Sequence, residues 1–331
     1  MKLLRALGVM LALGALAAGF AYYRVARPYG HFSGTVYVDF PRGTSTDGIA
    51  AELAKAGVIG SRLDFWLARM AERGHTLQAG EYAFSRPASA LDVVGRIARG
   101  DIFYLELVVP EGKNMFDIGA EAAPLGIFTA DDFVKAARNP ALIHDLDPKA
   151  PTLEGYLFPS TYRLNHKTTA EQLCRSMTER FRAAWRSLNA PAGVHDAVTL
   201  ASLVEKEGKL DGERPLIAAV FTNRLRLGMK LDCDPTTIYA AELLGVYRGT
   251  IYRSDLDRDH PYNTYSHAGL PPGPIANPGI RSLEAALHPA DSDALYFVRR
   301  PDDSGGHEFS NSLAAHTQAV EKYRHGSRQF R

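Results

Sequence analysis

The sequence predicts an α+β protein in three parts: an N-terminal membrane anchor, a small α+β subdomain and a larger mixed α/β domain. Three observations predict it. A long uncharged segment opens the chain, short strand-like runs then alternate with amphipathic helices over residues 34–100, and helices separated by Gly- and Pro-rich loops dominate after residue 169. At 331 residues the chain exceeds one typical domain, and 46% hydrophobic residues supply enough for two cores.

The anchor is expected within residues 1–30. Lys2 and Arg5 precede an uncharged run over residues 6–23, after which Arg24 and Arg27 return the chain to water. As a helix rising ~1.5 Å per residue, such a run is near the lower limit for spanning the hydrocarbon core. It is either an uncleaved anchor or a signal peptide, since Ala15-Leu-Ala-Ala-Gly19 offers small residues for cleavage. The run is long for a signal peptide, and Tyr22 and Tyr23 suit a membrane interface, so the anchor is preferred.

Residues 31–104 form the expected small subdomain. Gly34-Thr-Val-Tyr-Val-Asp-Phe-Pro41 reads as a strand, and residues 46–53 as a capped helix with Ile49, Ala50 and Leu53 on one face and Gly57 as its stop. A helix over residues 62–72 precedes Gly74, residues 77–84 regain strand-like spacing, and a helix over 90–98 follows. This order of strand, helix, helix, strand, helix resembles a small glycan-binding module of the LysM type.

The larger domain is expected over residues 105–331. Residues 105–112 read as a strand entering a turn, and residues 115–123 as the helix beyond it. Residues 139–149 show no period, and the aromatic-rich segment 153–162, punctuated by Gly155 and Pro159, reads as a structured loop. Helices are expected over residues 169–188, 195–208 and 213–227, the last stopped by Gly228.

Charge and cysteine content narrow the function classes. A formal net charge of +1 with dispersed basic residues lacks the electrostatic footprint of a nucleic-acid binder. Cys174 and Cys233 are far apart and in no metal-ligand spacing, which leaves a lone disulfide or two buried thiols. The histidines His260, His267, His288, His307 and His316 form no HExxH pair, and most of them read as loop or capping residues; no GxSxG motif offers an acyl-transfer serine. Neither a metal nor another cofactor is expected.

The helix over residues 195–208 carries the sharpest chemical signal. Ala197, Leu200, Ala201 and Val204 recur at helical spacing, and at ~3.6 residues per turn Glu207 falls over Leu200 on the same stripe. A carboxyl group continuing a buried stripe is partly desolvated, which disfavours its charged form and raises its pKa toward the range of a general acid. Glu205 falls on the opposite face and reads as a solvated charge. The alternative for Glu207 is a helix-end cap or a partner for an arginine such as Arg214. The loop Tyr262-Asn-Thr-Tyr265 and the following Gly269-Leu-Pro-Pro-Gly-Pro-Ile275 form a rigid segment whose aromatic and amide groups suit sugar recognition, though such a segment is also an ordinary turn. Asp232, Asp234 and Glu154 compete for the part of a second carboxylate.

Taken together, Ala201-Ser-Leu-Val-Glu-Lys-Glu207, Val220-Phe-Thr-Asn-Arg-Leu225, Gly228-Met229, Asp234-Pro-Thr236, Tyr262-Asn-Thr-Tyr265 and Gly269-Leu-Pro-Pro-Gly273 resemble, in order and spacing, the endolytic murein transglycosylase family, also called YceG-like or MltG. The similarity extends to His288-Pro289, Tyr296-Phe-Val298 and residues 307–311. It implies a single-pass protein of the bacterial inner membrane, a LysM-like subdomain and a periplasmic catalytic domain. It further implies lytic cleavage of nascent peptidoglycan glycan strands between N-acetylmuramic acid and N-acetylglucosamine, leaving a 1,6-anhydro end, beside peptidoglycan synthases as partners. The resemblance puts the catalytic glutamate at Glu207, the second acid of the Glu-Lys-Glu triplet. Glu154, Asn223, Arg224, Tyr262, Asn263 and Tyr265 are the candidates for holding the sugar, with a surface ion pair as the alternative for Arg224. Ser160 departs from the family, where Asp is common. Two rivals remain open: a non-catalytic glycan-holding protein, and a hydrolase pairing Glu207 with Asp232 or Glu154 at about 5–9.5 Å.

Overall fold

The computed structural model describes residues 2–71, 74–190, 193–302 and 304–329. The chain forms two compact units, Met1–Leu105 and Glu106–Arg331.

The first unit begins with α1 (Lys2–Ala26), whose stretch Leu4–Ala26 is long and apolar enough to cross a membrane. Strands β1 (Val36–Phe40) and β2 (Gly80–Phe84) pair antiparallel, with Val36 opposite Phe84 and Phe40 opposite Gly80. Alternation along these strands sends Val38, Phe40, Tyr82 and Phe84 inward. Helices α2 (Thr46–Lys55), α3 (Arg62–Ala71) and α4 (Ala90–Arg99) close the core through Leu53, Phe65, Val93 and Ile97. Ser45 caps α2 by accepting the Gly48 N–H, and Ser89 caps α4 at Asp92. Gly57 stops α2 at φ +70°, where a Cβ would stand 2.4 Å from the His31 carbonyl oxygen. The expected helix end at Glu72 lies outside the described residues.

In the second unit, β3 (Leu105–Val109) pairs with β4 (Ser160–Leu164), and α5 (Met115–Ala122) and α6 (Ala130–Ala137) lie between them in sequence. There follow α7 (Ala170–Ser187), α8 (Val194–Glu207), α9 (Arg214–Arg226), α10 (Asp234–Leu243) and the short α11 (Arg253–Leu256). After α12 (Ile280–Leu287), the antiparallel hairpin β5 (Tyr296–Arg299) and β6 (His307–Ser310) leads into α13 (Leu313–Gln329). Capping boxes at Asn114, Thr129 and Thr169 start α5, α6 and α7. The core around the later helices joins Leu200, Leu203 and Val204 of α8 to Ile217 and Phe221 of α9, Tyr239 of α10 and Ala285 of α12. Cys174 and Cys233 are free and buried.

The end of the expected loop over 153–162 is extended and becomes β4, because Ser160, Tyr162 and Leu164 alternate inward against β3. Helix α10 begins at Asp234. Its Pro235 occupies the first turn, where a missing N–H does no harm.

Candidate active site

Helix α8 sets the site. Leu200, Ala201 and Val204 are buried, and Glu207 ends the helix on their stripe, half-buried at a cavity of about 410 Å³. Phe221 and Arg224 come from α9, Leu231 to Asp234 from the turn into α10, Tyr265 from the Pro-rich loop, Tyr296 and Phe297 from β5, and Leu313 and His316 from α13.

Burial pushes the Glu207 carboxyl up to about 7; a hydrogen bond from Cys233 opposes this and the nearby Asp234 charge adds to it. The Cys233 thiol points at Glu207 Oε1 from 3.4 Å. Burial and the neighbouring Glu207 push that thiol up, so it stays a protonated donor. Among the described residues no arginine pairs with Glu207. Arg214 instead meets Glu205 at 3.2 Å.

Glu205 corrects the sequence reading. Its side chain is only 5% exposed, and its Oε2 also accepts the Gly279 N–H at 2.9 Å. Because α8 packs against both α9 and α12, the face opposite its apolar stripe meets protein rather than water.

Of the candidate sugar-holding residues, Arg224 and Tyr265 line the cavity. Arg224 donates from Nε to the Leu295 carbonyl at 2.7 Å and from Nη1 to that of Leu231 at 3.0 Å, while its guanidinium lies 5.0 Å from the centre of the Tyr296 ring. It therefore fastens α9 to the turn before α10 and to β5. Tyr265 donates its hydroxyl to Asp234 Oδ1 at 2.6 Å.

The other four lie behind the walls. Asn223 donates to the carbonyls of Ser292 and Ala294. Asn263 is buried, donates to the Leu256 and Arg258 carbonyls, and accepts the Tyr265 N–H, which shapes the loop that presents Tyr265. Tyr262 is buried against Tyr239. Glu154 is 1% exposed and accepts from the Met115 N–H at 2.9 Å, from Asn277 Nδ2 at 2.7 Å and from the Tyr239 hydroxyl at 3.1 Å. Burial nevertheless raises its carboxyl to about 8. Ser160 meets the Arg180 guanidinium.

His316 is an exception to the loop or capping reading of most of the histidines. It sits within α13, stacked on Tyr296 at 5.0 Å, and among the described residues its buried Nδ1 has no hydrogen-bond partner. The helical step from Leu313 to His316 was a usable signal, since residues three apart share a helix face.

A family model, described as the YceG-like family, matches residues 38–322. The chain belongs to this family. A curated relative from Bacillus subtilis named "Endolytic murein transglycosylase" is 33% identical over 310 residues, covering 87% of this chain and 85% of the relative. One of the same name from Streptococcus pneumoniae is 31% identical over 298 residues, covering 80% of this chain and 54% of that longer protein. A solved YceG-like protein from Listeria monocytogenes superposes with a TM-score of 0.56 at 32% identity, covering 87% of this chain and 99% of that one. The YceG-like match runs from β1 into α13 and so contains every residue lining the cavity.

Proposed function

We propose that this YceG-like chain is an endolytic peptidoglycan lytic transglycosylase with Glu207 as its single acid/base. The observation that carries the reading is Glu207 itself: a half-buried carboxyl raised to about 7, facing a cavity, in a chain whose curated relatives bear that enzyme's name. With its pKa near neutral, the group is protonated often enough to donate and ionised easily enough to take a proton back.

In the first step Glu207 protonates the glycosidic oxygen between N-acetylmuramic acid and N-acetylglucosamine, and the C1–O bond breaks. The Glu207 carboxylate then takes the proton of the C6 hydroxyl, whose oxygen bonds to C1 and closes a 1,6-anhydro ring. The nucleophile belongs to the substrate and is held in place by it, so neither water nor a second carboxylate enters. The Tyr265 ring offers a flat apolar face to a pyranose, and Arg224, packed on Tyr296, fixes the spacing of the walls.

The wider setting follows the same reading. Helix α1 anchors the chain in the inner membrane with the rest facing the periplasm, residues 31–104 hold glycan in the manner of a LysM module, and residues 105–331 catalyse. Nascent strands are then within reach, and termination of their growth beside peptidoglycan synthases is the role proposed.

One observation favours a hydrolase as the second reading: Asp232 and Asp234 line the same cavity as Glu207. Mass spectrometry of the fragments released from uncross-linked glycan strands separates the two. Lytic cleavage gives anhydro ends one water lighter than the reducing ends of hydrolysis. Reducing ends, together with loss of activity in Asp234→Asn, would establish the hydrolase.

A further inference from the structure

Helix α3 is amphipathic with its apolar residues on two faces. Phe65 and Ala68 are buried in the first unit's core, whereas Leu63, Trp66 and Met70 are 55%, 44% and 55% exposed. The spacing of these three, i, i+3 and i+7, puts them on one face of the helix.

The same helix is tied to the end of α1. Arg24, in the last turn of α1, donates from Nε to Asp64 Oδ1 at 2.5 Å and from Nη2 to Ser61 Oγ at 3.1 Å. Asp64 is buried, so this pairing fixes the first turn of α3 beside the end of the apolar stretch Leu4–Ala26. A cleft of about 580 Å³ at this junction is lined in part by Phe20, Tyr23 and Tyr29, aromatic side chains of the kind that settle at headgroup level. A helix held within about one helix diameter of the point where α1 leaves the hydrocarbon lies in the same interfacial zone. There an exposed Trp flanked by Leu and Met loses its unfavourable contact with water.

We propose that the face of α3 formed by Leu63, Trp66 and Met70 rests on the surface of the bilayer that α1 enters, giving the first unit a second membrane contact. This inference rests on the reading of α1 as an anchor. A two-point attachment restricts the rotation of the first unit about α1, which a single helix and a flexible junction would leave free.

The test uses the full chain in vesicles whose lipids carry bromine near the headgroup end of the acyl chains. Trp66 and Trp185 are the two tryptophans, and Trp185 is buried, so Trp66→Phe isolates the contribution of Trp66. Flotation of the vesicles reports α1 independently. The expected result is flotation of every variant, with quenching that disappears in Trp66→Phe and falls at least twofold in the Leu63→Ser, Met70→Ser pair. Flotation without quenching of Trp66 overturns the proposal. So does protection of Trp66 from aqueous iodide without quenching by bromolipid, because protein then covers the face. Failure of the wild type to float removes the anchor reading and the proposal with it.

Discussion

The Cys233 thiol stands 3.4 Å from Oε1 of Glu207 and, among the described residues, is the one hydrogen-bond donor that opposes the upward push of burial on that carboxyl. A donor favours the ionised form, so its strength sets the pH at which Glu207 lets go of its proton. Cys233→Ala removes the donor, and the alkaline limb of the kcat/KM profile should move to higher pH. Cys233→Ser supplies a stronger one, and the limb should move to lower pH, each by roughly half to one unit. Two variants moving the limb in the same direction would show that the thiol does not tune Glu207.

Glu154 is predicted to act on folding rather than on substrate. Its three donors come from the first residue of α5, from α10 and from the loop before α12. Glu154→Ala leaves those three buried donors without an acceptor and should lower stability by about 2–4 kcal/mol. The pH profile of the remaining activity should be unchanged. A normal melting temperature with a displaced profile would return Glu154 to the chemistry.

Arg224 joins two carbonyls and the Tyr296 face across one wall of the cavity. Lysine keeps the charge but not the planar fork, so Arg224→Lys should cost about 1–3 kcal/mol and reduce kcat/KM together with stability. Thermal melts and steady-state kinetics on the same preparation check this, and an unchanged melting temperature would contradict it.

Gly155 sits at φ +87°, and a Cβ there would lie 2.4 Å from Pro274 Cγ. Its N–H also bonds to the buried Asn277 side chain. Gly155→Ala is expected to lose at least about 2 kcal/mol through backbone strain and overlap, measurable by urea unfolding.

Much of the local architecture was legible in the sequence because its causes are local. The stripe Ala197, Leu200, Ala201 and Val204 announces α8 and puts Glu207 beside apolar neighbours by helical geometry alone. Glu205 was misread for a physical reason: burial of Thr199 and Ser202 shows α8 covered on more than one face, and polar letters do not announce that. The far wall of the cavity was equally hidden. Tyr296 and His316 join Glu207 at the cavity only through the packing of β5 and α13, and no periodicity links residues 89 and 109 positions apart. The loop residues Tyr262, Asn263 and Glu154 stood out by type, yet type alone does not separate a side chain that touches substrate from one that bonds to its own loop.

The most direct test of the account is the activity of Glu207→Gln against uncross-linked glycan strands, measured with its thermal stability beside the wild type. A carboxyl raised from 4.5 to about 7 favours folding while neutral, and that stability is lost as pH rises from the unfolded to the folded value. The uncharged glutamine should therefore melt no lower than wild type above neutral pH. The prediction is a folded variant that releases anhydro-ended fragments at least about a hundredfold more slowly. A folded variant that cleaves at the wild-type rate would contradict the assignment of Glu207.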